Sequence, residues 1–382
     1  MRDGAPPPVL GLDARCLRVQ RTGVERMFFS FVANLPALRS RFRRVILFTD
    51  GPLADPICAD PLFEVVTLPP ASAPLRKLFD GWMAFQLPQA LKRHGVDVFY
   101  SPNTKLPFGK VPRFVTVHGL EWYYQSADYP RVERIKQRLW FALAARFSAG
   151  IVTFAEHTRR DMHRLHPRLR PPVLVVGEAA ASVFRPLDRP DRAVAERLGI
   201  AAPFILSVCS LEPRKNIDAL IRAFAAMAGD EGRNHSLVLV GRTAWRSSRL
   251  HVLVDELGLG ARVRFAGYVS DDDLLQLYNQ AAFFVYPSKY EGFGLPLLEA
   301  MACGTPVASS HASALREVAG DAALLFDPAS PTDMADALRR LCVDADLRRD
   351  LARKGLRRAA DFDWTTTARN ITGFMAAPEA AT

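Results

Sequence analysis

No stretch of this sequence approaches the ~18–20 consecutive apolar residues that a bilayer-crossing helix needs. The first residues, MRDGAPPPVLGLDARC, carry prolines and an early Asp where a secretion signal would have its apolar core. A cytosolic protein is therefore expected. Cysteine is scarce: Cys16, Cys58, Cys209, Cys303 and Cys342 are scattered, no pair has metal-ligand or redox spacing, and reduced, mostly packed thiols are expected. The dinucleotide fingerprint G-x-G-x-x-G is absent, which counts against a nicotinamide-dependent enzyme. No internal repeat with a period of about 20–50 residues is visible, and low-complexity sequence is confined to the ends.

What is present suits a globular protein of two domains, since 382 residues allow two cores of ordinary size and a hydrophobic content of 49% argues against disorder. The net charge is +10, with Arg far outnumbering Lys, which favours anionic partners: nucleotide phosphates, anionic lipid or nucleic acid. Basic clusters occur at Arg39-Ser40-Arg41-Phe42-Arg43-Arg44 and between Arg159 and Arg170, where a solvated surface is an equal reading. No nucleic-acid recognition motif is present and the basic residues do not gather on one expected element, so a nucleic-acid-binding protein is the less favoured alternative.

Short apolar segments at 9–13, 45–48, 65–68, 98–100, 114–118, 151–154 and 173–176 read as strands, with helical stretches between several of them, notably 76–93 and 131–148. Such alternation predicts an α/β fold with a parallel sheet covered on both faces, and ligands then bind beyond the carboxyl ends of the strands. Thr22-Gly23-Val24-Glu25-Arg26 opens the first helix, with Thr22 as N-cap and Gly23 permitting close backbone approach. Residues 101–104 and 118–122 follow later strands, and His118 is a candidate site residue, although a His at a strand end is often only structural. The helix over 131–148 sets Val132, Ile135, Leu139, Leu143 and Phe147 at spacings of three and four among Arg131, Arg134, Lys136, Arg138 and Arg146. Packing of that apolar face onto the sheet is expected; a basic amphipathic helix on anionic membrane is the alternative.

Residues 177–191 are rich in small residues and proline, and mark the domain boundary. The alternation then restarts, with strands expected at 204–208, 237–240, 263–265, 283–286 and 322–326, and closing helices at 331–341, 346–360 and 365–375. After the first of these strands, Arg214 and Lys215 are expected to open a helix, where two cations are disfavoured by the dipole unless an anion is bound. Asp271-Asp272-Asp273 invites a metal reading, but Ser270 as N-cap with acids in the first helical turn is preferred, and no metal site is expected. The organising stretch is 284–318: a strand, Gly292 and Gly294 in a tight loop, Pro296 at a helix start, and Gly304 as its C-terminal cap. A helix N-terminus of this kind suits a phosphate. Glu299 in the first turn either complements the dipole or accepts hydrogen bonds from a diol, and Glu291 stands on the loop, where a solvated turn is the plain reading.

Glu291 and Glu299 with seven residues between them, inside E-G-F-G-L-P-x-x-E-A-M-A-C-G-T-P-V, resemble the signature of retaining GT-B glycosyltransferases of family 4. T-G-V-E-R resembles the family's N-terminal glycine loop, E-P-R-K-N-I its diphosphate-binding motif, and 313–328 a mannosyltransferase-like branch. The resemblance implies two Rossmann-like domains whose parallel sheets face each other across a cleft. The acceptor-side domain would span 1–180, with helix 364–376 packing back on it, and the nucleotide-sugar domain 186–361. It implies Arg214 and Lys215 as a clamp on the leaving diphosphate, together with Gly23 and the backbone at Phe293, Gly294 and Leu295. Glu299 would hold the nucleotide ribose, Tyr268 would lie near the base, and Glu291 and His118 would contact the donor sugar.

The implied reaction transfers a hexose, with mannose from GDP-mannose favoured, to a hydroxyl of a glycan or lipid-linked glycan in surface-polysaccharide assembly. It would proceed with retention and without metal or other cofactor, at the cytoplasmic face of a membrane or in the cytoplasm. A sugar-nucleotide epimerase or hydrolase on the same scaffold is the closer alternative.

Overall fold

The structure is a computed structural model and describes residues 6–18, 23–53, 59–70, 80–227, 234–242 and 248–376. Thr22, Cys58 and the first residues of the helix expected over 76–93 lie outside these. The chain divides into two compact units: Met1–Tyr123 with Tyr129–Glu178 and Asp363–Thr382, and Ala179–Phe362 with the segment Tyr124–Asp128.

The first unit is built on seven strands: β1 (Val9–Asp13), β2 (Arg44–Thr49), β3 (Phe63–Thr67), β4 (Val98–Ser101), β5 (Arg113–Thr116), β6 (Gly150–Thr153) and β7 (Val173–Val175). They pair in the order β3-β2-β1-β4-β5-β6-β7, every pair parallel. Strands buried on both faces are mostly apolar, and β1 is buried at every position, its one charged residue, Asp13, standing at the carboxyl end. Val9, Ile46, Phe48 and Phe99 pack against Trp82, Met83, Leu87 and Leu91, while Val115, Val117 and Ile151 pack against Leu120, Phe141 and Met162. The helix Trp364–Ala376 belongs to this unit: Thr367 Oγ1 donates to the Gly177 carbonyl at 2.6 Å, and Phe374 meets Phe114 edge-on at 5.3 Å.

The second unit has six strands, β8 (Phe204–Val208), β9 (Ser236–Val240), β10 (Val263–Gly267), β11 (Phe283–Tyr286), β12 (Val307–Ser310) and β13 (Leu324–Phe326). Their order is β10-β9-β8-β11-β12-β13, again all parallel. Helix Leu295–Ala302 packs on Ala345–Ala360, where a Cβ added to Gly355 would meet Met301 at 3.2 Å. Each unit is thus a parallel α/β sheet, as expected from the alternation of strands and helices. Among the described residues no helix is long and apolar enough to cross a membrane.

Three expectations are corrected. The α-helix after β8 starts at Ile217; Arg214 and Lys215 lie in a preceding 3-10 turn, Pro213–Lys215, separated from the helix by Asn216 in the left-handed region at φ 60°. Glu299 is the fifth residue of Leu295–Ala302, beyond the first turn, so it does not meet the orphan amides of the helix end. In helix Arg131–Phe147 only Leu143 of the expected apolar stripe packs against the core: Trp140, Phe141, Ala144 and Ala145 are the buried residues, whereas Val132 and Ile135 are 64% and 65% exposed. The capping expectations hold. Ser270 Oγ accepts from the Asp273 N–H at 3.1 Å, and Gly304, at φ 73°, closes its helix with its N–H on the Met301 carbonyl at 3.0 Å.

Candidate active site

A doubly wound sheet parts its loops where the strand order reverses, and that crevice at the carboxyl ends is where ligands bind. In the second unit the reversal falls between β8 and β11. The turn carrying Arg214 and Lys215 follows β8, and the loop carrying Glu291 follows β11. Asn216 ties the loops together, its Nδ2 donating to the carbonyls of Pro287 at 3.2 Å and Pro328 at 2.9 Å, and the Lys289 N–H donates to the Arg214 carbonyl at 2.9 Å.

Charges from the two loops meet there. Lys215 Nζ donates to Glu291 Oε1 at 2.5 Å and to the Tyr286 hydroxyl at 3.1 Å. Arg214 Nη1 donates to Glu291 Oε2 at 3.3 Å, and its Nε to Glu212 Oε2 at 3.0 Å. Lys215 and Glu291 are both buried. Burial alone would push the Glu291 carboxyl up, but Lys215 and Arg214 outweigh it and hold the pKa at about 2, below the ordinary 4.5. Its main-chain N–H donates to Ser313 Oγ at 2.7 Å. Ser313 adopts φ 50° and ψ −130°, a conformation costing a non-glycine residue about 1–3 kcal/mol, so the surrounding fold sustains strain where it seats Glu291. The two cations are therefore already compensated by the protein's own carboxylates, and an incoming anion would compete with Glu291 for Arg214 and Lys215.

Glu299 is buried to 2% exposure and accepts from the Tyr278 hydroxyl at 3.1 Å. Gly294, the residue before that helix, has φ 114°, and a Cβ on it would strike Leu315 Cδ2 at 2.6 Å, so glycine is required there on two counts. The Phe293 ring is buried and meets Phe362 edge-on at 5.7 Å; Leu295 is buried too. Tyr268, just past β10, is exposed, with the Arg242 guanidinium 5.8 Å from its ring centroid. Glu212, Tyr286, Tyr278, Ser313 and Asn216 were not expected. Tyr286 ends a strand at the ligand-bearing edge, a signal that was available; nothing in the sequence marks the Ser313 conformation.

In the first unit the order reverses between β1 and β4. His118 lies two residues past β5, with Nε2 2.7 Å from the Pro102 carbonyl, in the loop after β4. A carbonyl only accepts, so Nε2 carries the proton and Nδ1 is left as an acceptor. Burial lowers the His118 pKa, which keeps the ring neutral at pH 7. Gly23 is the first residue of helix Gly23–Asn34, and among the described residues a Cβ there would meet nothing within 4 Å. An unexpected ion cluster stands at this reversal. Arg15 donates to Asp13 at 2.8 Å and Asp80 at 3.0 Å and lies 4.1 Å over the Trp82 ring, while Lys105 pairs with Asp80 at 3.1 Å.

Comparison with known proteins agrees with this geometry. The profile described as Glycosyl transferases group 1 matches residues 194–358, and that of Glycosyltransferase Family 4 matches residues 21–176. The chain is 31% identical over 284 residues to the O-antigen chain mannosyltransferase B of Escherichia coli, an overlap of 72% of this chain and 73% of that protein. It is 35% identical over 202 residues to the serotype-specific mannosyltransferase WbdA of Escherichia coli, but spans only 25% of that protein. The solved structure of sucrose-phosphate synthase from Thermosynechococcus elongatus superposes with a TM-score of 0.78 at 22% identity, covering 98% of this chain and 100% of that one. The chain belongs to the GT-B glycosyltransferases of family 4, glycosyl transferases group 1.

Proposed function

We propose that this glycosyltransferase moves mannose from GDP-mannose to a hydroxyl of a glycan or lipid-linked glycan in surface-polysaccharide assembly, with retention of the anomeric configuration and without a metal. The observation that carries the catalytic part is the Arg214–Lys215–Glu291 cluster at the strand-order reversal; the names of the mannosyltransferase relatives support the donor. As the glycosidic bond breaks, negative charge rises on the leaving diphosphate. Arg214 and Lys215 would stabilise it, joined by the amides at Gly294 and Leu295 and by backbone near Gly23, where the absence of a side chain leaves room for phosphate. Loss of one such contact commonly costs a few kcal/mol of barrier, roughly 10²–10³ in rate. Glu299 would accept from the ribose hydroxyls, Tyr268 would lie against the base, and Glu291 would hold the sugar hydroxyls. His118, with Nδ1 as acceptor, would receive a sugar hydroxyl. The protein would work in the cytoplasm or peripherally on its membrane face, with no nucleic acid as partner.

Purified protein incubated with a panel of nucleotide sugars and a polysaccharide-derived acceptor tests this. GDP-mannose is expected to raise the melting temperature and to yield an α-linked product by NMR. A donor panel that shifts only with UDP-sugars would overturn the donor; free sugar or an isomerised donor as the sole product would replace the transferase by the hydrolase or epimerase reading.

A further inference from the structure

Helix Arg131–Phe147 is seated by Trp140, Phe141 and Ala144, whose rings and methyl enter the cores beneath β4, β5 and β6, with Ala145 also buried. At about 100° per residue, Arg138, Arg131, Ala142, Ile135, Arg146, Leu139 and Val132 then fall within an arc of about 120° pointing away from that seat. Val132, Ile135 and Leu139 are 64%, 65% and 44% exposed, and the three arginines of the arc are exposed with them. The arc holds no carboxylate: Glu133 lies on the opposite side of the wheel, where it accepts from Gln137. Beside the arc, Tyr123, itself exposed, carries the Arg138 guanidinium 5.6 Å from its ring centroid.

We infer that this arc is the surface by which the protein docks on an anionic lipid bilayer. Three large aliphatic side chains left in water on one helical face are unfavourable unless something apolar covers them. A bilayer interface does so, and arginines along the same face reach lipid phosphates while their stems stay apolar. An aromatic ring beside a cation at the edge of the patch suits the headgroup level. A second copy of the chain fits less well: symmetric pairing of the arc would bring its arginines together with no carboxylate on either side to offset them. The inference deepens the proposed function by giving the reading of a lipid-linked acceptor a surface, but its test reads lipid binding and not transfer, so the two fail separately.

The test is co-sedimentation of the full chain with vesicles of equal parts phosphatidylcholine and phosphatidylglycerol, against vesicles of phosphatidylcholine alone, at low salt. Binding to the anionic vesicles only is expected, weakening as salt shortens the Debye length. I135E/L139E removes the apolar contact and R131E/R138E the charge; each is expected to lower the partition coefficient at least roughly tenfold. Unchanged melting temperature and unchanged stabilisation by GDP show that these surface variants are folded. Failure of the wild type to bind anionic vesicles, or wild-type binding by both variants, overturns the proposal. So does a concentration-dependent dimer in sedimentation equilibrium that I135E/L139E dissolves, since the covering partner is then a second copy.

Discussion

The two strand-order reversals of the molecule hold ion clusters of opposite design. In the second unit a carboxylate, Glu291, lies between two cations, and the member most open to water is an anion, Glu212, with its side chain 39% exposed. In the first unit a guanidinium, Arg15, lies between two carboxylates, and the most open member is a cation, Lys105, 38% exposed. Setting the exposed members aside, the less exposed remainder is Arg214 and Lys215 less Glu291, or +1, in one unit, and Arg15 less Asp13 and Asp80, or −1, in the other. Counted with those exposed members each cluster is neutral, so the two differ in which sign is held inside and which is left towards water.

The sharpest way to break this contrast is to remove one buried partner in each unit. Lys215→Met or Glu291→Ala leaves a buried charge uncompensated and is expected to cost about 3–5 kcal/mol in urea unfolding, besides most of the transfer activity. Arg15→Met is expected to destabilise to a similar degree while leaving the GDP dissociation constant, measured by calorimetry on the folded protein, unchanged. A large loss of GDP affinity in Arg15→Met would erase the distinction between the clusters.

Acid comes next in size. The folded-state pKa of Glu291, about 2, lies below the ordinary 4.5, so its stabilisation is complete above pH 4.5 and is lost as the pH falls from there towards 2. A difference of this size is worth about 3 kcal/mol. Glu291→Gln should flatten the unfolding free energy over that window; an unchanged pH profile would remove Glu291 as the titrating group. Smaller still, Gly294→Ala is expected to cost about 1–3 kcal/mol, because it forces both a left-handed backbone and a clash with Leu315. Gly23→Ala, with nothing among the described residues for its methyl to meet, should leave the melting temperature unmoved and weaken donor binding alone. Equal destabilisation by the two alanines would show that Gly23 is structural.

Elements driven by local chemistry were legible in the sequence. Apolar runs bounded by glycine and proline gave nearly all the strands, Ser270 and Gly304 declared their caps, and the spacing of Glu291 and Glu299 identified the family. Errors arose where long-range contacts decide. Arg214 and Lys215 look like the start of a helix because charge and propensity are local, but the left-handed Asn216, held by Pro287 and Pro328, breaks the chain there. The stripe of Val132, Ile135 and Leu139 has the periodicity of a buried face, yet periodicity cannot say which of two apolar faces meets the sheet. The larger surfaces of Trp140 and Phe141 won.

The sequence by itself determined the alternation of strands and helices, the family, and the residues that carry charge to the ligand-bearing edges, since those depend on residue type and spacing. Only the tertiary structure decided that Glu291 holds Lys215 and Arg214, that Glu299 rests on Tyr278, and that Arg15 is shared by Asp13 and Asp80. Arg15 and Asp13 are near neighbours, but the other pairs join residues well separated in the chain, and only the packing of strands and helices brings them within hydrogen-bond reach.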